Sequence, residues 1–148
     1  LLYRLDADVS LSVWIGHMGG PFWQKKDAAA WSIPKGEPVA GETDLDAAIR
    51  EFAEEIGHPA PQAEWTLLGE FEQPSRKVVV VFTAQTDFAV ETVSSNLFEA
   101  EWPPRSGRRQ LFPEIDDARW VPVEEARVKV VRGQVAVLDA LEAHLASQ

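Results

Sequence analysis

Apolar and polar positions change period several times along the chain, and each change marks an element. Leu1–Leu5 and Val9–His17 alternate as strands do, around an Asp6-Ala7-Asp8 turn. Gly19-Gly20-Pro21 breaks the pattern, and residues 22–30 read as a loop. Trp31-Ser32-Ile33 is a short strand stopped by Pro34, and Lys35–Gly41 is a glycine-bounded loop. Asp44–Ile56 then carries the helical period, with Thr43 or Asp44 as N-cap and Gly57 as the stop. His58-Pro59-Ala60-Pro61 cannot continue it. Trp65–Glu72 and Lys77–Thr86 are strands joined at Pro74-Ser75, and Leu97–Trp102 is another. Pro103–Pro113 reads as a loop, Ala118–Val121 as a short strand, and Val123–Val130 and Gln134–Ala146 as helices split by Gly133. Strands around a central helix, closed by a helical C-terminus, predict one mixed α/β (α+β) domain over residues 1–148.

On a wheel of about 100° per residue, the central helix separates two kinds of side chain. With Glu51 at zero, Glu54 lies near −60° and Glu55 near +40°, whereas Leu45, Ile49, Phe52 and Ile56 gather between about 100° and 160°. The helix is therefore expected to press its apolar stripe on the core and turn three carboxylates to solvent. Ala47 and Ala48 flank those carboxylates and leave room for an ion or ligand.

Charge sharpens this picture. The 148 residues carry a net charge of −10, and residues 40–72, with nine acids and one base, supply −8 of it. A chain so acidic is a poor binder of nucleic acid or of an anionic membrane surface. Three like charges at i, i+3 and i+4 repel, and Arg50 offsets part of this. A hard divalent cation, Mg²⁺ or Mn²⁺, would relieve the rest, while an ordinary solvated helix face accounts for the charges equally well. There is no cysteine, which excludes disulfides, thiolate metal sites and a cysteine nucleophile and fits a cytoplasmic protein. The apolar runs are too short to cross a bilayer. The chain opens in mid-strand without a methionine, and a few residues are expected to precede it.

The loop before the helix decides between those readings. Gly36, five residues, Glu42, seven residues, then Arg50-Glu51-Phe52-Ala53-Glu54-Glu55-Ile56-Gly57 resembles the Nudix box, G-x5-E-x7-R-E-U-x-E-E-x-G-U, where U is bulky and aliphatic. Gly36, Glu42, Arg50, Glu51, Glu54, Glu55 and Gly57 all match; Phe52 departs mildly, and His58 stands where an apolar residue is usual. At average residue usage such a match arises by chance in under about one chain in a hundred thousand. Trp31–Gly36 is similar to the entry to the box in enzymes acting on dinucleoside polyphosphates and nucleoside triphosphates. Gly19–Trp23 and Trp102–Arg108 resemble a bacterial subgroup of nucleoside triphosphate pyrophosphohydrolases.

The resemblance implies a mixed sheet sandwiched between helices, and hydrolysis of a nucleoside diphosphate linked to another moiety. It implies that Glu51, Glu54 and Glu55 hold Mg²⁺ or Mn²⁺, with the Lys35 carbonyl as a backbone ligand. It also implies that Arg50 orients a glutamate and that Glu42 ties the loop to the helix. In diadenosine tetraphosphate hydrolases a further glutamate, metal ligand or general base, lies six residues before a strand tryptophan. Counting back from Trp120 gives Glu114, with Asp116 and Asp117 as alternatives. Lys77 opens a strand as the phosphate-contacting lysines of those enzymes do.

From the residues themselves, Arg105, Arg108 and Arg109 cluster where guanidinium groups can fork onto phosphate oxygens. Lys25, Lys26 and Arg76 are secondary candidates, and solvated surface explains any one of these cations as well. Trp23, Phe22, Trp102 and Phe112 are candidates for stacking on a base. The expected partner is a nucleotide; oligomeric state is left open, a homodimer included. Three other functions compete: a nucleotide-binding sensor without turnover, an ADP-ribose or nucleotide-sugar pyrophosphohydrolase, and an enzyme of RNA ends, the last disfavoured by the charge.

Overall fold

The computed structural model describes residues 1–35, 39–90 and 92–148. Gly36, one of the box positions, lies outside the described residues.

Among the described residues, eight strands and two faces of helices organise the fold. β1 (Leu2–Leu5) pairs antiparallel with β2 (Leu11–Met18) and parallel with β5 (Val78–Gln85), which pairs antiparallel with β4 (Thr66–Glu72). β2 also pairs with β3 (Trp31–Ser32) near its end and, along most of its length, with β8 (Ile115–Pro122). The result is a six-stranded mixed sheet. Alternation sends successive side chains to opposite faces. Leu1, Tyr3, Val13, Ile15 and Val121 pack on one side with α2 (Val123–Lys129) and α3 (Val135–Ala146), through Val123, Ala126, Val137, Leu138 and Leu141. Leu2, Trp14 and Ile115 pack on the other side against Phe52 and Ile56 of α1 (Asp44–Ile56). The sheet is thus sandwiched between helices, as the resemblance implied.

α1 begins and ends as the sequence predicts. The Thr43 hydroxyl accepts the Asp46 N–H at 3.1 Å, and the Gly57 N–H closes the last turn on the Ala53 carbonyl at 2.9 Å. Gly57 has φ +79°, and a Cβ there would lie 2.4 Å from the Ser94 carbonyl oxygen. The helix can therefore stop in this way only with glycine.

Three elements differ from the sequence reading. Arg109–Pro113 is not loop but β7, paired with β6 (Leu97–Glu101) in a separate two-stranded hairpin. The clustered Pro, Gly and Arg hide a strand whose pairing partner, Leu97–Glu101, lies upstream across the loop. β8 starts at Ile115, not Ala118, because β2 pairs on through Asp117 and Ile115, past an irregularity at Asp116. Gly133 sits inside a 3-10 turn, Arg132–Gln134, that leads directly into α3. Among the described residues no helix is long and apolar enough to cross a membrane.

Candidate active site

The roll of α1 sets which way its acids point. Phe52 packs 5.6 Å from Trp14 and 5.4 Å from Phe88, and Trp14 and Phe88 meet edge to face at 5.2 Å. With Phe52 and Ile56 buried, this trio of rings fixes the helix against the sheet. The opposite face is less open than the wheel suggests. Ala47 is buried at 3% exposure, Glu51 and Glu55 are half-buried, and among the three glutamates Glu54 is the exposed one. Ile49, assigned to the apolar stripe, is exposed instead. The expectation of three solvent-facing carboxylates is corrected here: the segment entering the box folds over the helix and covers part of that face.

Arg50 organises the upper half of the site. Its Nε and Nη2 fork onto the Glu42 carboxylate at 2.7 and 3.0 Å, and its Nη1 donates to Glu51 at 2.9 Å and to Glu54 at 3.2 Å. These bonds raise the guanidinium further above its ordinary range, Glu42 first. Glu42 is lowered by Arg50 and then by the Val39 N–H, which donates to it at 3.0 Å.

Glu55 has different surroundings. The Lys35 N–H donates to its Oε2 at 3.3 Å. Burial pushes its carboxyl up to about 7; the Lys35 amide and charge pull the other way, and the nearby negative charges of Glu114 and Glu51 add to the rise. The fold therefore brings Glu114, 59 positions away in sequence, within electrostatic reach of Glu55. Main-chain bonds hold Glu114 in place: its N–H donates to the Asn96 carbonyl at 3.0 Å, and its carbonyl accepts the Gly19 N–H at 2.8 Å. The Asn96 N–H in turn donates to the Glu54 carbonyl at 3.2 Å, which joins this segment to the end of α1. Asp116 is taken by His17 at 2.6 Å, and Asp117 by Arg119 at 2.8 Å.

The donor chemistry suits a hard divalent cation: all the side-chain candidates offer carboxylate oxygen, and Glu55 is a crowded, partly desolvated acid that an ion would hold ionised. Among the described residues, however, no three acids stand close enough together to close around an ion. Arg50 holds Glu51 and Glu54, while the Lys35 amide holds Glu55. Gathering them would exchange the Arg50 bonds to Glu51 and Glu54 for bonds to the ion.

The cations are spread more widely. Lys35 stands beside Glu55, and Lys77 is in the turn between β4 and β5, where its carbonyl accepts the Gln73 N–H at 2.8 Å. Arg105 and Arg108 are exposed at the tip of the β6–β7 hairpin, roughly 15 Å beyond its base at about 3.3 Å per residue. Arg109 is not an open cation, since Glu99 takes its Nε at 2.6 Å. Trp23 packs against the core on the α2–α3 side with the Lys26 ammonium 5.3 Å from its ring, and Phe22 and Trp102 face each other at 6.5 Å. Phe112 packs on Phe98 at 6.0 Å. An apolar cleft of about 90 Å³, missed in the sequence, opens between α1 and β5 and is lined by Lys35, Leu45, Ala48, Ile49, Phe52 and Val80.

Two polar side chains that support the site were also missed. Gln134, at 2% exposure, accepts the Ile33 N–H at 2.9 Å and donates to the Ser32 hydroxyl at 2.9 Å, so it fixes the backbone two residues before Lys35. His17, at 7% exposure, bridges two segments beside Glu114. A polar residue within an apolar run is the one signal either leaves in the sequence. His58, where the box expects an apolar residue, bonds the Thr92 carbonyl at 3.0 Å and lies outside the carboxylate cluster.

Comparison with known proteins agrees with this fold. The C. elegans Ap4A hydrolase, solved as a binary complex, superposes with a TM-score of 0.66 at 20% identity, covering 100% of this chain and 96% of that one. RenU, a Nudix hydrolase of M. smegmatis, gives 0.64 at 20% identity over 99% and 83% of the two chains. The NUDIX domain of Shewanella oneidensis NrtR, crystallised with ADP ribose, gives 0.62 at 16% identity over 97% and 83%. At these identities the likeness is one of fold. The NUDIX domain family model matches residues 18–141, which span the box, the Glu114 segment and most of α3. The chain therefore belongs to the Nudix family, as a hydrolase of pyrophosphate bonds.

Proposed function

We propose that residues 1–148 form one Mg²⁺- or Mn²⁺-dependent pyrophosphohydrolase unit acting on a dinucleoside polyphosphate or a nucleoside triphosphate in the cytoplasm. The observation that carries this reading is the Glu55 carboxyl, half-buried on the Lys35 amide and raised among Glu51 and Glu114. In the reaction a water oxygen bonds to phosphorus, the bridging P–O bond breaks, its electron pair leaves on the departing phosphate, and a carboxylate accepts the water's proton. A divalent ion, when bound, supplies charge neutralisation and a more acidic water. Glu51, Glu54, Glu55, Glu114 and the Lys35 carbonyl are the groups that would hold it. Arg50 and Glu42 keep the glutamates and the preceding loop in register. Glu114 serves as a ligand or as the base.

Lys35, Lys77 and the hairpin arginines Arg105, Arg108 and Arg109 favour a substrate with several phosphates over one ending in a sugar. Breaking the Glu99 pair would free Arg109 for this. The cleft beside Lys35 suits a base bound by shape and apolar contact, while Trp23, given its packing, serves at the margin of the site. The C. elegans neighbour is an Ap4A hydrolase and the Shewanella domain was solved with ADP ribose, so the neighbours offer both alternatives.

The test is kcat/KM for diadenosine tetraphosphate, ATP and ADP-ribose under one Mg²⁺ condition, repeated with excess chelator. The proposal expects a polyphosphate substrate to win and chelator to stop turnover. ADP-ribose as the best substrate would overturn the polyphosphate reading. Binding without turnover on all three would favour the sensor, and full activity in chelator would remove the metal.

A further inference from the structure

We propose that His17 is a positioning residue for Glu114, acting through Asp116, and that Asp116 works as the hydrogen-bond partner of His17 rather than as a base or metal ligand. The inference rests on the reading of Glu114 as a working carboxylate.

His17 lies at the end of β2, nearly buried, with its ring edge-on to Trp31 at 5.0 Å. Both ring nitrogens make contacts of 2.6 Å, Nδ1 with Asp116 and Nε2 with the Lys26 carbonyl. A carbonyl oxygen can only accept, so Nε2 carries a hydrogen. A second hydrogen must then lie between Nδ1 and the Asp116 carboxylate, because two lone pairs would repel at that distance. Asp116 sits at an irregularity in the sheet. His17 is opposite Asp117 and Met18 is opposite Ile115, so Asp116 is the extra residue of a β-bulge. Bulges bend a strand and re-aim its side chains. This one lies two residues from Glu114, whose N–H reaches the end of α1 through Asn96.

The grip on Glu114 is therefore double. The Gly19 N–H and the Asn96 carbonyl hold its main chain. His17 holds the bulge beside it and ties that bulge to the loop carrying Lys26. Without the imidazole, the bulge and the loop lose their side-chain link, and the main-chain bonds to Gly19 and Asn96 are left as the hold on Glu114. Asp116 is engaged by His17, while Glu114 and Glu51 are the acids whose charge acts on Glu55.

The experiment compares Glu114→Gln, His17→Phe, Asp116→Ala and Asp116→Asn by steady-state kinetics on the best substrate. Folding is followed by thermal melting, and the imidazole N–H protons by NMR. Positioning predicts that His17→Phe and Asp116→Ala lower kcat by about 10–100-fold with KM within about threefold. Asp116→Asn should stay within about threefold of the parent, because its amide can donate to Nδ1 of a neutral His17 while Nε2 still donates to Lys26. A slowly exchanging downfield Nε2 proton should be seen in the parent and in Asp116→Asn, and be absent in His17→Phe. If His17→Phe does not fold, His17→Gln, which can reach only one of the two partners, replaces it with the same expected loss in kcat. Asp116→Asn as damaging as Asp116→Ala would overturn the proposal, because charge at Asp116 would then matter. Unchanged kcat in the His17 variant beside a damaged Glu114→Gln would overturn it too. A harmless Glu114→Gln would instead remove the underlying role of Glu114, and this inference with it.

Discussion

The glutamate face of α1 and the arginine tip of the β6–β7 hairpin carry opposite charge and are built in opposite ways. On the glutamate face of α1 the charged groups are constrained. Three rings fix the helix, Arg50 is forked onto Glu42 and bonded to Glu51 and Glu54, and Glu55 is half-buried on a backbone amide. At the hairpin tip Arg105 and Arg108 are exposed, Arg109 is balanced by Glu99, and the Gly107 amide is capped by Glu101 at 3.1 Å. Chemistry at a fixed phosphorus needs groups placed to within about half an ångström. Attraction for a polyanion needs only charge within about a Debye length of it, roughly 8–10 Å. In the proposed function the constrained region would carry the bond breaking and the exposed one at most attraction, and each variant below strains one side of that contrast.

The largest effect is expected at Glu55. Glu55→Gln keeps the shape and the Lys35 hydrogen bond but removes the negative charge, and should lower kcat/KM by at least about 100-fold. Its Tm should be unchanged or higher, since an uncharged amide replaces a crowded, desolvated acid. Steady-state kinetics and a melting curve on the same sample check both halves. An active variant would take Glu55 out of the chemistry.

Arg50→Ala comes next. It leaves Glu42, Glu51 and Glu54 without their shared cation and should cost about 10–100-fold in activity, with Arg50→Lys intermediate because an ammonium cannot fork. Near-parent rates in both would make the network an ordinary surface ion pair, worth little. Gly57→Ala tests the frame without touching a charge. The positive φ and the 2.4 Å approach to Ser94 should cost about 2 kcal/mol or more, lowering Tm by roughly 4–8 °C.

What could be read from the sequence follows the same division. α1 was legible because local rules decide it: Thr43 caps it, Gly57 ends it, and the helical period places Phe52 and Ile56 in the core. The carboxylates were singled out by the resemblance of the spacing to the Nudix box, since the charge pattern alone fits a solvated helix face equally well. The burial of Glu55 was not legible, because a wheel gives a direction around the helix and says nothing of the segment that folds over it. β7 was hidden because its order comes from pairing with β6, while Arg109–Pro113 alone has loop composition. His17 and Gln134 found their partners 99 and 101 positions away, beyond the reach of any local pattern.

The smallest expected effect belongs to the arginine tip, and it decides whether that region takes part at all. Arg105 and Arg108 are exposed, so a charged hydrogen bond from either to phosphate would realise only part of the roughly 1.5–3 kcal/mol found in protected sites. Arg105→Ala or Arg108→Ala should then raise KM for diadenosine tetraphosphate about threefold to tenfold, with kcat unchanged and a smaller rise for ATP, whose shorter phosphate chain reaches less far toward the hairpin. Added salt should shrink the difference, because exposed charges are screened. Arg109→Ala is the internal comparison. Its guanidinium is spent on Glu99, so KM should shift less than in the other two, and breaking an exposed ion pair should move Tm by no more than about 2 °C. Equal, salt-sensitive KM rises in all three variants would mean that substrate outcompetes Glu99 and recruits the whole cluster. No rise in any of them would return the hairpin to solvated surface and leave phosphate recognition to Lys35 and Lys77, beside the glutamates and at the start of β5.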